Sequence, residues 1–172
     1  WQAHRPAVAP PSLAGTPGLA GISTADVGEI KVLSLNRSVD YLFRRRVDGT
    51  WYMVEPVEDL ASMGYLNQLV TVFDGSTRKL AFKAAEINDK ILKDTGLATP
   101  RAAAEFRTGE TKVRVDIGEE DVSEDAIFVR IDGDIYRSRS ALWSATQINV
   151  EDAREKTVFR TSPQELQAVE IE

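Results

Sequence analysis

Cysteine is absent from the 172 residues and histidine occurs once. The first absence excludes disulfides, thiolate metal sites and cysteine nucleophiles within the chain, and it suits a reducing cytosol and a bacterial extracytoplasmic space equally well. The second leaves His4 as the only imidazole, in a proline-containing stretch with no rigid element to aim it, so the usual general base of a hydrolytic triad has no place here. No run approaches the roughly 20 apolar residues of a membrane span. Neither G-x-G-x-x-G nor G-x-x-x-x-G-K-[ST] occurs, which disfavours nucleotide binding through a glycine-rich phosphate loop. Positive charge is scarce. Lys and Arg number 21 against 27 Asp and Glu, a net charge of −6, so the diffuse attraction to phosphate that supports nucleic-acid binding is missing.

What is present points to one domain. Apolar residues make up 42% of the chain, enough at this length for a single well-buried core. Residues 1–22 hold Pro6, Pro10, Pro11 and Pro17 among Ala and Gly, the composition of a partly extended linker. From Glu29 the pattern becomes strand-like: Ile30, Val32, Leu33 and Leu35, then 41–46, then 51–54, with Asp48-Gly49 predicting a type I′ hairpin turn between the last two. After Pro56 the spacing lengthens. Leu60, Met63, Leu66, Leu69, Val70 and Phe73 form a single helical stripe, capped by Asp59 or Ser62 and ended by Asp74-Gly75.

A strand over 80–82 follows, then a short helix over 86–95. Gly96 suits the left-handed exit of that helix, Leu97 can fold back on Leu92, and Pro100 prevents the helix from resuming. Strands are expected at 102–107, 112–117, 126–131 and 134–137, with turns at Thr108-Gly109-Glu110 and Asp132-Gly133. A last helix over 140–148 carries Leu142 and Trp143 inward. The expected class is α+β: a mainly antiparallel sheet built from hairpins, with about three helices packed against it.

One segment repeats. The pattern of 23–32, Ser first, an acid three residues on, then alternating Ile30 and Val32, returns over 162–171 with Ser162, Glu165, Val169 and Ile171. This predicts a linker at 1–22, an α+β domain at 23–161, and at 162–172 either the start of a second repeat or a strand that closes the first.

The residues that carry chemistry are few. Glu119, Glu120, Asp121, Glu124 and Asp125 lack the D-x-[DN]-x-[DN]-G order of a calcium loop and read as a solvated loop between strands. Arg44, Arg45 and Arg46, near Arg37, form the main basic cluster; alternation puts Arg44 and Arg46 on one face and Arg45 on the other, beside Tyr41 and Phe43. Arg137 and Arg139 form a smaller pair on the last hairpin. Trp51 and Trp143 fall at apolar positions that anchor a core. If a ligand binds, the expected residues are Arg44 and Arg46 with an aromatic partner, Tyr41 or Trp51. No catalytic residue, metal site or cofactor is expected; two facing carboxylates would support glycoside cleavage, but nothing in the spacing selects a pair.

The order of elements resembles a bacterial family. Ile30-Lys31-Val32, the hairpin Asp48-Gly49-Thr50-Trp51-Tyr52-Met53-Val54-Glu55-Pro56, the helix Leu66-Asn67-Gln68-Leu69-Val70, the exit Thr95-Gly96-Leu97-Ala98-Thr99-Pro100, and Lys156-Thr157-Val158-Phe159-Arg160 resemble domain-of-unknown-function family 4340 over about residues 23–172. The resemblance implies a membrane-anchored parent with an N-terminal span, placed outside the cytoplasm and associated with auxiliary components of gliding-motility-type ABC transporters. It defines no catalytic residues. The expected function is therefore a non-enzymatic extracytoplasmic accessory or interaction domain with a transporter or envelope protein as partner; the alternative is a binding domain for an anionic or saccharide ligand.

Overall fold

The computed structural model describes residues 26–34 and 39–156. The linker at 1–22 and the recurring segment at 162–172 lie outside the described residues, as do His4 and Trp1. Nine strands form one open sheet, antiparallel at every pairing. They are β1 (Glu29–Ser34), β2 (Val39–Arg45), β3 (Trp51–Glu55), β4 (Asp59–Leu60), β5 (Arg78–Phe82), β6 (Ala102–Thr108), β7 (Thr111–Asp121), β8 (Ala126–Ile131) and β9 (Asp134–Ser138). The helices are α1 (Met63–Gly75), α2 (Asp89–Asp94), α3 (Ala141–Thr146) and α4 (Val150–Ala153). The spatial order is β4-β3-β2-β1-β6-β7-β8-β9-β5.

The expected sheet-dominated α+β architecture is observed, with four helices rather than about three. The last helical stretch divides: Gln147 leaves helical geometry, and Asn149 starts α4 by accepting the Asp152 N–H at 2.9 Å. Leu60, expected in the first helix, belongs instead to β4, because Ser62 caps α1 by accepting from the Tyr65 N–H at 3.3 Å. The stripe C-terminal to that cap holds: Leu66, Leu69, Val70 and Phe73 are all buried.

Two Asp-Gly turns resolve differently. At Asp132-Gly133 both residues have positive φ, 51° and 91°, as a two-residue type I′ hairpin requires. At Asp48-Gly49 only Gly49 does, at 84°. There the Gly49 N–H donates to the Arg46 carbonyl at 2.9 Å and the Arg46 N–H to the Thr50 carbonyl at 2.9 Å. This is the three-residue form, in which a turn over Val47-Asp48 is closed by one left-handed glycine. The Asp48 carboxylate accepts the Thr50 N–H at 2.9 Å and so favours this form.

Alternation makes the sheet two-faced. Ile30, Val32, Tyr41, Phe43, Phe106, Val115, Ile117 and Val129 face the buried side of α1, α3 and α4 and share one core with Leu66, Phe73 and Leu142. The opposite face carries charge in cross-strand ladders. Arg44 and Arg107 flank Glu29 at 2.8 and 3.7 Å, Lys112 and Arg114 meet Glu105 at 2.8 and 2.9 Å, and Arg114 and Arg130 share Asp116 at 2.7 and 3.0 Å.

The connection from β4 to β5 runs from one edge of the sheet to the other through α1. Thirteen helical residues cover about 20 Å, whereas nine strands laid flat span about 38 Å. Three extended steps at each end add about 20 Å, so the connection, drawn out along one line, just reaches across. Register shifts in the β2–β3, β5–β9 and β7–β8 pairings supply local bends.

Candidate functional site

The four residues singled out as ligand contacts do not meet in a cleft. Tyr41 and Trp51 are 4% and 2% exposed and belong to the core, where the Tyr41 ring stacks at 6.4 Å from that of Phe43. Arg44 stands on the opposite face, paired with Glu29. Arg46 lies one residue past the end of β2, its guanidinium 3.6 Å over the Tyr52 ring and 3.5 Å from Glu58. The physical reason is the period of two: the alternation that separates Arg44 from Arg45 also drives both aromatics to the buried side. Arg45 sits half-buried opposite Trp51.

A hollow of about 530 Å³ opens where β5, β9 and the β7–β8 turn meet. Arg78, Lys79 and Leu80 line it from β5, Arg137 from β9, and Glu124 and Arg139 from the adjoining turns. The register opposes Lys79 to Arg137 and Leu80 to Tyr136, so Lys79 and Leu80 point to opposite faces and the hollow embraces the strand's rim. Two ion-paired acids brace it. Asp121 accepts from Arg137 Nε at 2.7 Å and from the Ser123 hydroxyl at 2.6 Å, and the Ser123 bond first, with Arg137 second, holds its carboxyl below the usual aspartate range. Glu124 lies 3.5 Å from Lys79 and 3.9 Å from Arg137. The acidic run read as a solvated loop is thus the end of β7 and a turn at the border of this hollow. Among the described residues no group of acids or His is arranged to hold a metal.

The two rims of the sheet are treated differently. β4 is two residues long, and the chain after α4 lies against it: Arg154 bridges Ala61, the Glu155 N–H donates to the Leu60 carbonyl at 2.9 Å, and Arg154 Nε reaches Asp59 at 2.6 Å. β5 is five residues long and, among the described residues, has β9 as its one neighbour. Lys79 and Leu80 on it are exposed, Leu80 to 43%.

A second cleft of about 350 Å³ separates α1 from α3 and α4, lined by Ser62, Tyr65, Gln68, Ser144, Gln147 and Asp152 among others. Tyr65 donates its hydroxyl to the Ala145 carbonyl at 3.3 Å. Burial first, and the neighbouring Tyr41 second, push its phenol well above its ordinary value, so it stays a neutral donor. A third hollow of about 300 Å³ lies over the Arg114–Asp116–Arg130 ladder.

Arg137 and Arg139 were visible in the sequence as a pair; Arg78 and Lys79 were not grouped with them. Their signal was the polar start of a short strand, and only the β5–β9 pairing joins the two. Among the described residues no helix is long and apolar enough to cross a membrane. Comparison with protein-family models, with curated proteins and with solved structures finds no match to this chain.

Proposed function

We propose that this chain is a non-enzymatic interaction domain, an extracytoplasmic accessory module of a membrane-anchored parent that binds a transport or envelope protein through the open rim of its sheet. The observation that carries the reading is β5: a five-residue edge strand with an exposed leucine and a hollow along it, on a sheet whose other rim is short and covered. An uncovered edge strand presents backbone donors and acceptors to another chain, which is how strand-addition domains recognise their partners. The resemblance to family 4340 supports the extracytoplasmic and transporter-associated part. The test is site-specific photocrosslinking in the native cell, with a photoreactive residue at Leu80 and, as control, at the exposed Glu110. The expected result is a discrete polypeptide adduct from Leu80 alone; equal adducts at both positions, or none, would overturn the reading.

The alternative of a small-ligand binding domain draws on a different observation. The cleft beside α1 is lined by two carboxamides, two hydroxyls, a phenol and one carboxylate, a set suited to a neutral saccharide rather than an anion. Titration of the chain with mono- and disaccharides, read at the amides of 62–69 and 144–152, tests it. Saturable shifts there support it, and their absence removes it.

A further inference from the structure

We infer that the partner segment received at β5 is an extended acidic stretch of another polypeptide, added as a further strand with acids on one face and apolar residues on the other; this rests on the interaction reading above and names its partner chemistry. Charge comes first. On a chain of net charge −6, the hollow collects Arg78, Lys79, Arg137 and Arg139 against Glu124 and Asp125, with Asp121 bonded to Arg137 beside it, a local excess of one positive charge. The ion pairs joining Glu124 to Lys79 and Arg137 are long and partly solvated, so an arriving carboxylate can replace them at little cost. The short bond from Arg137 to Asp121 stays and holds that guanidinium over the Phe128 ring of β8, so Arg137 adds positive charge to the hollow from its inner side.

Geometry then sets the pattern of the incoming strand. Lys79 and Leu80 face opposite ways, and the register places Arg137 beside Lys79 and Tyr136 beside Leu80. A strand laid against β5 therefore meets Lys79 and Arg137 on one face and Leu80 and Tyr136 on the other, with Arg78 over the Tyr136 ring at the end of that second face, which asks for acids on the first face and mainly aliphatic residues on the second. The β5 strand of a second copy does not satisfy that demand. Edge-to-edge pairing of two β5 strands gathers Arg78 and Lys79 of both copies on one short rim and brings no acid to meet them, and such crowding of like charge blunts self-association at sheet rims. The same cations that discourage a second copy attract an acidic segment.

The probe is the capped peptide Glu-Val-Glu-Val-Glu-Val-Glu, titrated into the 15N-labelled 172-residue chain and followed by amide chemical shifts. Expected are saturable shifts centred on Arg78–Phe82 and on 137–139, weakening steeply as salt rises from about 50 to about 500 mM. Lys79→Glu with Arg139→Glu should weaken binding at least about tenfold, while the spectrum of the core strands stays unchanged; Arg139→Gln alone should give a smaller loss in the same direction. A peptide N-methylated at alternate residues keeps its charge but cannot pair along one side, and should lose the binding. Saturation by the corresponding Lys-Val peptide, undiminished binding of the N-methylated peptide, shifts centred away from β5, or no saturable shift would each overturn the inference. A Leu80 adduct in cells together with a failed acidic peptide would sink the partner chemistry alone; loss of both would sink the interaction reading as well.

Discussion

Gly118→Ala is the substitution for which the fold makes the sharpest demand. Gly118 sits in β7 within the irregularity where its register shifts against β8. There the exit of α2 comes down onto the strand, with the Thr95 carbonyl accepting the Glu119 N–H at 2.8 Å and Leu97 buried to 1%. A Cβ at 118 would lie 2.2 Å from the Thr95 carbonyl oxygen and 3.0 Å from Leu97 Cγ. The first neighbour is backbone, held by the hydrogen bonds that close α2, so no side-chain rotation relieves the clash. Overpacking of a core typically costs about 1–3 kcal/mol, and displacing the carbonyl puts a hydrogen bond worth about 1 kcal/mol at risk. The expected loss is about 3 kcal/mol, a large share of a typical 5–15 kcal/mol stability, or a fall in Tm of about 10 °C for a chain of this length. Urea denaturation and calorimetry of the purified chain measure it. Gly75→Ala is the control. That glycine closes α1 with nothing within 4 Å of its added Cβ, and alanine there should gain about 0.5 kcal/mol. A loss below about 1 kcal/mol for Gly118→Ala would refute the close approach as a requirement of the fold.

Acid should weaken the charged face in a defined direction. Burial raises the Glu105 carboxyl, but hydrogen bonds from Lys112 and Arg114 outweigh it and hold the group below its ordinary value of 4.5. A carboxylate depressed in the folded state stabilises the fold above its unfolded pKa, and that contribution is lost as pH falls from there through the folded value. Glu105→Gln should therefore flatten the decline of stability with acid below about pH 4.5, and an unchanged acid limb in urea titrations would count against the pairing. Phe106→Ala removes a buried ring in edge contact with Phe73 at 5.2 Å and should cost about 4 kcal/mol by denaturant unfolding; a cost under 2 would mean the site collapses. Arg44→Ala, by contrast, breaks an ion pair whose arginine is half-exposed and should shift stability by less than about 1 kcal/mol, as thermal melts will report.

Much of the fold was legible because it rests on periodicity. The alternation of Ile30 with Val32 and the three-to-four spacing of Leu66, Leu69, Val70 and Phe73 each place one face against the core, and such patterns depend only on neighbours in sequence. The misses lie where a tertiary partner decides. Leu60 fits the helical stripe, yet pairing of Asp59 and Leu60 with Met53 and Tyr52 makes it a strand. Asp48-Gly49 and Asp132-Gly133 are identical as dipeptides and form different turns, because an Asp carboxylate binding the Thr50 amide stabilises the longer loop. The candidate contacts fared in the same way. A basic run beside Tyr41 and Trp51 looks like a site when read along the chain, but a strand alternates: Arg44 parts from the aromatics to the opposite face, and Arg45 alone stays beside Trp51. The hollow at β5 joins residues some 60 positions apart, and no local pattern signals that.

The exposure of β5 follows from how the core is built. Had the chain turned back after β4 in a simple hairpin, the next strand would have paired with it and extended that rim. Instead α1, whose apolar stripe must cover the sheet, carries the chain across the buried face and delivers β5 beside β9 at the far side. The strand after it in sequence, β6, pairs with β1 in the middle of the sheet, so it is not available to cover β5. Among the described residues the open rim is thus a consequence of burying α1, and a long neutral edge in that place would be an aggregation hazard. Arg78 and Lys79 offset the hazard by repelling copies of themselves, and Leu80 between that pair and Phe82 keeps an apolar contact within reach of a strand that brings the opposite charge. Replacing Lys79 by Val should therefore do two things at once: promote concentration-dependent self-association, visible by light scattering, and weaken the acidic peptide. If it did only the second, charge at the rim would serve recognition without guarding against self-pairing.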